Sequence, residues 1–244
     1  MKKLNGTQIK YLMAGLMVLD HLPHIPGLVS PWWEAIFHAI TRCVGVWFAY
    51  TAVEGFLYTS NLKKYLTRLW GWALFMGVGN LLLNWLFEYR SIEIHNNIFL
   101  TLAVGVSLLA MLEKVQGKWK YTAWLGAAVL FGAGSLMTEG GIVLIPFMLV
   151  SYYFRNRLFW RNLAYVILSL AFLAMNFQYL ETWDLTVREL LYNGDFLFIT
   201  VLPFLYLYNG ERGPKTSFNK YFFYIFYPAH LWLITFIAYL LAGK

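Results

Sequence analysis

Asp20 and His21 stand side by side in VLDHLPH (18–24), a stretch that follows the uncharged run YLMAGLMVL. An imidazole exchanges protons near neutral pH, and a neighbouring carboxylate can orient it or offset its charge. Their setting makes the pair conspicuous, because inserting a carboxylate into hydrocarbon costs about 2.5–3.5 kcal/mol. Two further charges, Arg42 and Glu54, also lie inside apolar segments. So does His230 in FYPAHLW, while His38 lies nearer the start of its segment. Consecutive helical residues point about 100° apart, so Asp20 and His21 cannot both face one partner. The expectation is that one faces a polar cavity and the other pairs across to a second helix, with Arg42 the obvious cation for Asp20. A structural alternative is an Asp20–Arg42 pair that only fixes helix packing, with His21 a bystander.

Other groups carry weaker chemistry. His21 and His24 have a spacing compatible with a metal, but Pro23 lies between them and no carboxylate or cysteine set completes a site. No metal is therefore expected. Cys43 beside Arg42 has the neighbour that activates a thiol, although a lone membrane cysteine more commonly packs. TSNLKKYLTR (59–68) and YNGERGPK (208–215) combine glycine or amide side chains with cations. That chemistry suits an anionic ligand carrying phosphates. The bland alternative is that loop cations merely report topology, which leaves Asn209, Gly210 and Gly213 less well explained.

The elements that must position these groups follow from composition. Of 244 residues, 60% are hydrophobic and 13% charged, more apolar surface than a soluble core of this length can hide. The bilayer is the expected solvent. Nine apolar segments read as membrane helices: 8–26, 35–58, 66–87, 95–112, 119–136, 140–155, 160–180, 192–208 and 220–241. The N-terminal tail and alternate loops hold fifteen of the nineteen lysines and arginines, and the opposite loops hold eight of the twelve acids. By the positive-inside rule the N-terminus is cytoplasmic and the C-terminus external. The net charge of +7 is thus a topology signal rather than a footprint for nucleic acid. The first apolar run begins after MKKLNGTQIK with no small-residue cleavage site following, so no cleavable signal is expected. One cysteine excludes an internal disulfide framework. Trp32 and Trp33 suit an interfacial belt. The expected fold is an all-α polytopic bundle forming a single domain over 1–244. In it Asp20, His21, Arg42 and His230 share one depth, and Glu54 lies near the cytoplasmic end.

Several stretches together resemble the TraX family of bacterial inner-membrane proteins: LDH (19–21), AVEGFLYTSNLKKYLTRL (52–69), NNIFLTLAVG (96–105), YNGERG (208–213) and KYFFYIFYPAHL (220–231). They occur in the family's order along nearly the whole chain. The chain departs from the pattern at LPH after the Asp-His pair, where glycine is usual, and at CVGVWFAY after Arg42, where a Phe-Pro pair is usual. The family's acidic turn stands here as MTEGG (137–141). The resemblance implies a multi-pass protein of the bacterial cytoplasmic membrane that acetylates an amine, such as a pilin or peptide N-terminus, or another envelope acceptor, with acetyl-CoA as donor. A remoter likeness is to multispanning acyltransferases of surface glycans, in which a first-helix histidine is catalytic.

Acetyl transfer from a thioester needs a base, a stabilised oxyanion and a positioned donor. On this reading His21 is the base and Asp20 and Arg42 hold the polar site. His230 is an alternative base or an oxyanion donor. Lys63, Lys64, Asn209 and Arg212 hold the CoA phosphates, with Glu54 orienting one of the cations. Two rival classes remain open: a small proton-coupled transporter, which would also bury Asp, His and Arg, and a non-catalytic assembly factor for surface appendages.

Overall fold

The structure is a computed structural model that describes residues 3–90 and 92–241. Of the charges used for topology, Lys2 and Lys244 lie outside the described residues, as do the side chains of Arg90 and Lys220. The described chain is all-α. In order it forms α1 (Gly6–His21), α2 (Pro31–Thr41), α3 (Cys43–Tyr58), α4 (Leu62–Phe87), α5 (Ile98–Lys114), α6 (Lys120–Met137), α7 (Gly141–Tyr153), α8 (Leu158–Asn176), α9 (Trp183–Tyr192), α10 (Leu202–Leu207) and α11 (Ser217–Leu241). Short 3₁₀ turns include Leu22–His24 and Asp195–Val201.

Helix occupies each of the nine expected segments. Among the described residues four helices are long and apolar enough to cross a membrane: Pro31–Tyr58, which joins α2 and α3, then Leu62–Phe87, Leu158–Asn176 and Tyr221–Leu241. A fifth is reached if Trp183–Tyr192 and Asp195–Leu207, bent by 59°, count as one broken span. The chain is a multi-pass membrane protein. The apolar pattern predicts a loop over 181–191, whereas Trp183–Tyr192 is helical. Thr182 caps it by accepting from the Leu185 N–H (3.2 Å). Its low hydrophobicity hid it from a search for apolar spans.

Backbone contacts divide the chain into two compact units. One comprises the residues up to Trp47, Leu83–Ile94 and those from Tyr165 onward. The other comprises Phe48–Leu82 and His95–Ala164.

In the first unit α1 packs on α2 and α11, and α2 packs on α9. The start of α1 is held with unusual completeness. A helix leaves its first four N–H groups without intrahelical partners. Here Asn5 and Gln8 form a reciprocal capping box (3.0 and 2.9 Å). The N–H groups of Gly6 and Thr7 donate to the carbonyls of Glu211 and Arg212 (2.8 and 3.1 Å), and the Thr7 hydroxyl also donates to Arg212 O (2.8 Å). Leu4 and Tyr208 form a short parallel bridge beside this contact. The YNGERG turn therefore caps the helix whose other end carries Asp20 and His21. Gly213 makes the approach possible: its φ is +89°, and a Cβ there would lie 2.7 Å from Asn5 Oδ1.

In the second unit α5, α6 and α7 pack against one another around Val104, Leu108, Ala127 and Ile145. Without a hydrophobic drive between helices in lipid, close packing needs small residues at the contact. At Gly134 a Cβ would come within 2.6 Å of both Ile145 and Val104 side chains. The NNIF stretch stitches its neighbours together. Asn97 caps α5 and donates to Ala73 O (2.9 Å), Asn80 donates to Asn96 O (2.9 Å), and Asn96 donates to Glu139 Oε1 (3.0 Å).

Two glycines test the capping account. Gly213→Ala should lower the melting temperature in detergent, with strain of about 1–2 kcal/mol from the left-handed backbone alone. At Gly15 in α1 an added Cβ meets nothing within 4 Å, so Gly15→Ala should leave the melting temperature unchanged or raise it. Equal behaviour of the two variants would contradict the role given to the turn.

Candidate functional site

Pro23 is the residue that ends α1. It is the second residue of a 3₁₀ turn, Leu22–His24, which leaves Asp20 and His21 in the last turn of α1. Asp20 then faces α2. The Thr41 hydroxyl donates to Asp20 Oδ1, and His38 Nδ1 lies 3.3 Å from the same oxygen, close enough for charge but out of line for a hydrogen bond. His21 Nε2 is 4.0 Å from Asp20 Oδ2. The carboxylate is thus surrounded by a hydroxyl and two imidazoles.

Arg42 does not pair with Asp20. His38 and Thr41, three residues apart, share the face of α2 that meets α1. Arg42, one residue further on, points about 100° away. Its Nη2 donates to the Tyr192 carbonyl (2.8 Å) in the last turn of α9. A cation at a helix C-terminus meets free carbonyls and the negative end of the helix dipole. The Tyr192 ring in turn meets His38 edge-on, 4.8 Å between centroids. Arg42 therefore anchors α9 against the helix that carries the partners of Asp20.

Helix α11 supplies the remaining member. His230 is buried, 5.4 Å from the His21 ring, and His24 stacks on His21 at 5.2 Å. Ile25, Ile234 and Ala238 form an apolar floor in the same unit. Three buried histidine nitrogens in this cluster, His21 Nδ1, His38 Nδ1 and His230 Nε2, have no hydrogen-bond partner among the described residues. Among the described residues no three His, Cys, Asp or Glu side chains converge as a metal would need.

Of the site residues expected from sequence, Asp20, His21 and His230 come together, and Arg42 stands next to Thr41 but serves α9. His38 and His24 are visible in the sequence but are not placed in the site by it, and Thr41 gives no such signal by itself. The i, i+3 spacing of His38 and Thr41 was the available signal, because that pair shares a helix face. Cys43 is fully buried with Sγ 4.0 Å from Met13 Sδ and 3.6 Å from Ile40 O, a packing position. Asn209 belongs to the turn itself: Nδ2 donates to Glu211 Oε2 (3.0 Å) and Oδ1 accepts from Glu211 N (2.8 Å). Arg212 spends its carbonyl on α1 and leaves its guanidinium exposed. Glu54, Lys63 and Lys64 belong to the second unit. There both Lys side chains are exposed at the start of α4, and Glu54 and Arg161 act electrostatically on Tyr50.

Three comparisons bear on this chain. Residues 5–238 match the family described as TraX protein. A protein of Dichelobacter nodosus described as "Probable fimbrial assembly protein FimC, serogroup H1" is 26% identical over 244 residues, covering 94% of each chain. No solved structure matches.

The Arg42 anchor can be tested by hydrogen exchange. Arg42→Ala removes a charge-assisted bond of about 1.5–3 kcal/mol, so the amides of α9 should exchange about tenfold faster or more while those of α1 keep their rates. Asp20→Asn should leave α9 unaffected, because Arg42 does not rely on that carboxylate. Faster α9 exchange in Asp20→Asn would restore the pairing first expected from sequence.

Proposed function

Since the chain belongs to the TraX family, we propose that it is a membrane acetyltransferase, moving an acetyl group from acetyl-CoA to an amine or hydroxyl of an envelope-associated acceptor. The observation that carries this reading is the buried His21 ring. Nε2 faces the Asp20 carboxylate at 4.0 Å and Nδ1 is bare. A carboxylate on one nitrogen favours the proton there and leaves the other nitrogen to accept one, which is the arrangement a general base needs. Asp20 then offsets the imidazolium charge that forms. The hydroxyl of Thr41 and the His38 ring hold the carboxylate in place.

The donor's phosphates belong at the opposite end of α1. Arg212, exposed and without an ion pair among the described residues, is the cation best placed to bind them, on a turn whose backbone is already fixed by Gly6 and Thr7. From Thr7 to His21 the helix rises about 21 Å. A donor held at the turn must carry its acetyl group along that length, which the long pantetheine arm of CoA suits.

In this reading the membrane is the bacterial cytoplasmic membrane and the chain crosses it nine times, with the 209–219 loop inside and the C-terminus outside. The alternation of basic and acidic loops supports that topology. A reporter in the 209–219 loop should be active in the cytoplasm and one after Lys244 outside it. Both on one side would remove the nine-span topology.

A second reading, a non-catalytic assembly factor for surface appendages, is favoured by the description of the Dichelobacter relative as a probable fimbrial assembly protein. Purified protein separates the two. Acetyl-CoA turnover with a small amine or a hydroxyl acceptor is expected of the enzyme, and none of the assembly factor. His21→Ala should lower turnover by roughly 10²–10⁴-fold with acetyl-CoA affinity kept. Arg212→Ala should do the reverse, weakening acetyl-CoA binding by roughly ten- to a hundredfold through loss of a charge-assisted bond. Normal turnover in His21→Ala would remove that residue from the chemistry.

A further inference from the structure

The backbone fixes which nitrogen of His230 carries its proton. Nδ1 lies 2.8 Å from the Phe226 carbonyl, and a carbonyl only accepts, so Nδ1 is the N–H. In the neutral ring Nε2 then holds a lone pair, on an atom that is buried and has no partner. The ring is also held in place. Phe226 stacks on it at 5.0 Å with 16° between planes, and Tyr227 meets it edge-on at 5.8 Å. His230 as a whole is 7% exposed.

This tautomer excludes one of the two roles open to His230. An oxyanion donor needs a free N–H, and the only N–H of the neutral ring is spent on Phe226. What remains is an acceptor of protons, 5.4 Å ring to ring from His21, whose own Nδ1 is likewise buried and bare. Two lone pairs with no donor between them are what a site keeps for a proton in transit. Asp20 offers one negative charge to this group, and two imidazolium ions at that separation would repel strongly in a medium of low dielectric. The pair therefore holds one proton at a time. The other titratable neighbours are His24, stacked on His21, and His38, beside Asp20.

We propose that His230 is a second proton carrier: the proton that His21 removes from the acceptor passes to His230 Nε2 and from there to the departing sulfur. The inference rests on the acetyl-transfer reading. As the acceptor's N or O attacks, its bond to the thioester carbonyl carbon forms and its proton goes to the His21–His230 pair. As the tetrahedral intermediate collapses, the C–S bond breaks and sulfur leaves with the electron pair. His230 returns the proton to it, giving the CoA thiol and leaving both rings neutral.

The test uses purified full-length protein in detergent. His230→Phe keeps a ring to stack on Phe226 and has no lone pair. Its kcat should fall roughly 10²–10⁴-fold with the KM for acetyl-CoA unchanged, and His230→Gln should behave alike, which guards against a packing defect peculiar to one substitution. Wild-type turnover in either folded variant would overturn the inference while leaving the acetyl-transfer reading intact. Absence of turnover in the wild-type protein would instead overturn that reading, and the sulfur step with it. Nitrogen-15 NMR of labelled histidine gives a readout that a packing role would not move: His230 should be protonated at Nδ1 and bare at Nε2. A proton on Nε2 in the neutral ring would sink the inference whatever the kinetics.

Discussion

The first unit is organised around a single electrostatic demand, that of a carboxylate placed among apolar helices. Asp20 cannot be left bare in such surroundings, because an ionised carboxylate without donors is among the costliest groups to bury. Its needs are met from one face of α2, through Thr41 and His38, and from its own helix through His21. Bringing the Thr41 hydroxyl and the His38 ring to the carboxylate sets the rotation of α2 against α1. The same rotation turns Arg42 away, where it takes hold of α9. One half-buried charge thus links the packing of three helices.

That arrangement holds only if α1 itself cannot slide or fray. Its far end is secured by a turn two hundred residues away in sequence, which supplies carbonyls to its first N–H groups and wedges Gly213 against Asn5 and Thr7. Helix α1 is therefore pinned at one end by backbone hydrogen bonds and at the other by side-chain electrostatics. A displacement at the 208–213 turn would move Asp20 relative to Thr41, and hydrogen bonds weaken steeply with misalignment. The most distinctive motif of the chain can serve the polar site at a distance, through the rigidity of a capped helix, whatever else its exposed arginine binds.

Much of this was legible in the sequence, and the reasons are physical. Long apolar runs must be helical in a bilayer, so each expected segment holds helix. Matched depth put His21 and His230 within reach, and they are neighbours. What could not be read was rotation. Depth does not say which way a side chain points, so Arg42 was matched to Asp20 when the residue beside it, Thr41, makes the contact. Helix α9 escaped because amphipathic helices near an interface lack the apolar signal used to find spans. The YNGERG turn was read as a ligand loop because its cations and glycines suit phosphate. Its use of backbone carbonyls to cap α1 leaves no trace in side-chain chemistry, and Asn209 is consumed within the turn. The division into two units also has no sequence mark, since α3, α4 and α8 each contribute residues to both.

The strongest physical argument against a purely structural cluster lies in what its polar atoms are not doing. A scaffold that needed only to bury Asp20 could satisfy it with hydroxyls and amides, which cost little to keep. Here the carboxylate is flanked instead by the imidazoles of His21 and His38, and these two and His230 each carry a buried nitrogen without a hydrogen-bond partner. Each such atom forfeits about 1–3 kcal/mol relative to a satisfied or an apolar replacement. Packing alone would favour phenylalanine or leucine at these positions, and the stack of Phe226 on His230 already shows the space for a ring. Retaining unsatisfied imidazole nitrogens near a carboxylate makes sense if something transient meets them. In the proposed group-transfer reading these bare nitrogens are the atoms that accept a proton.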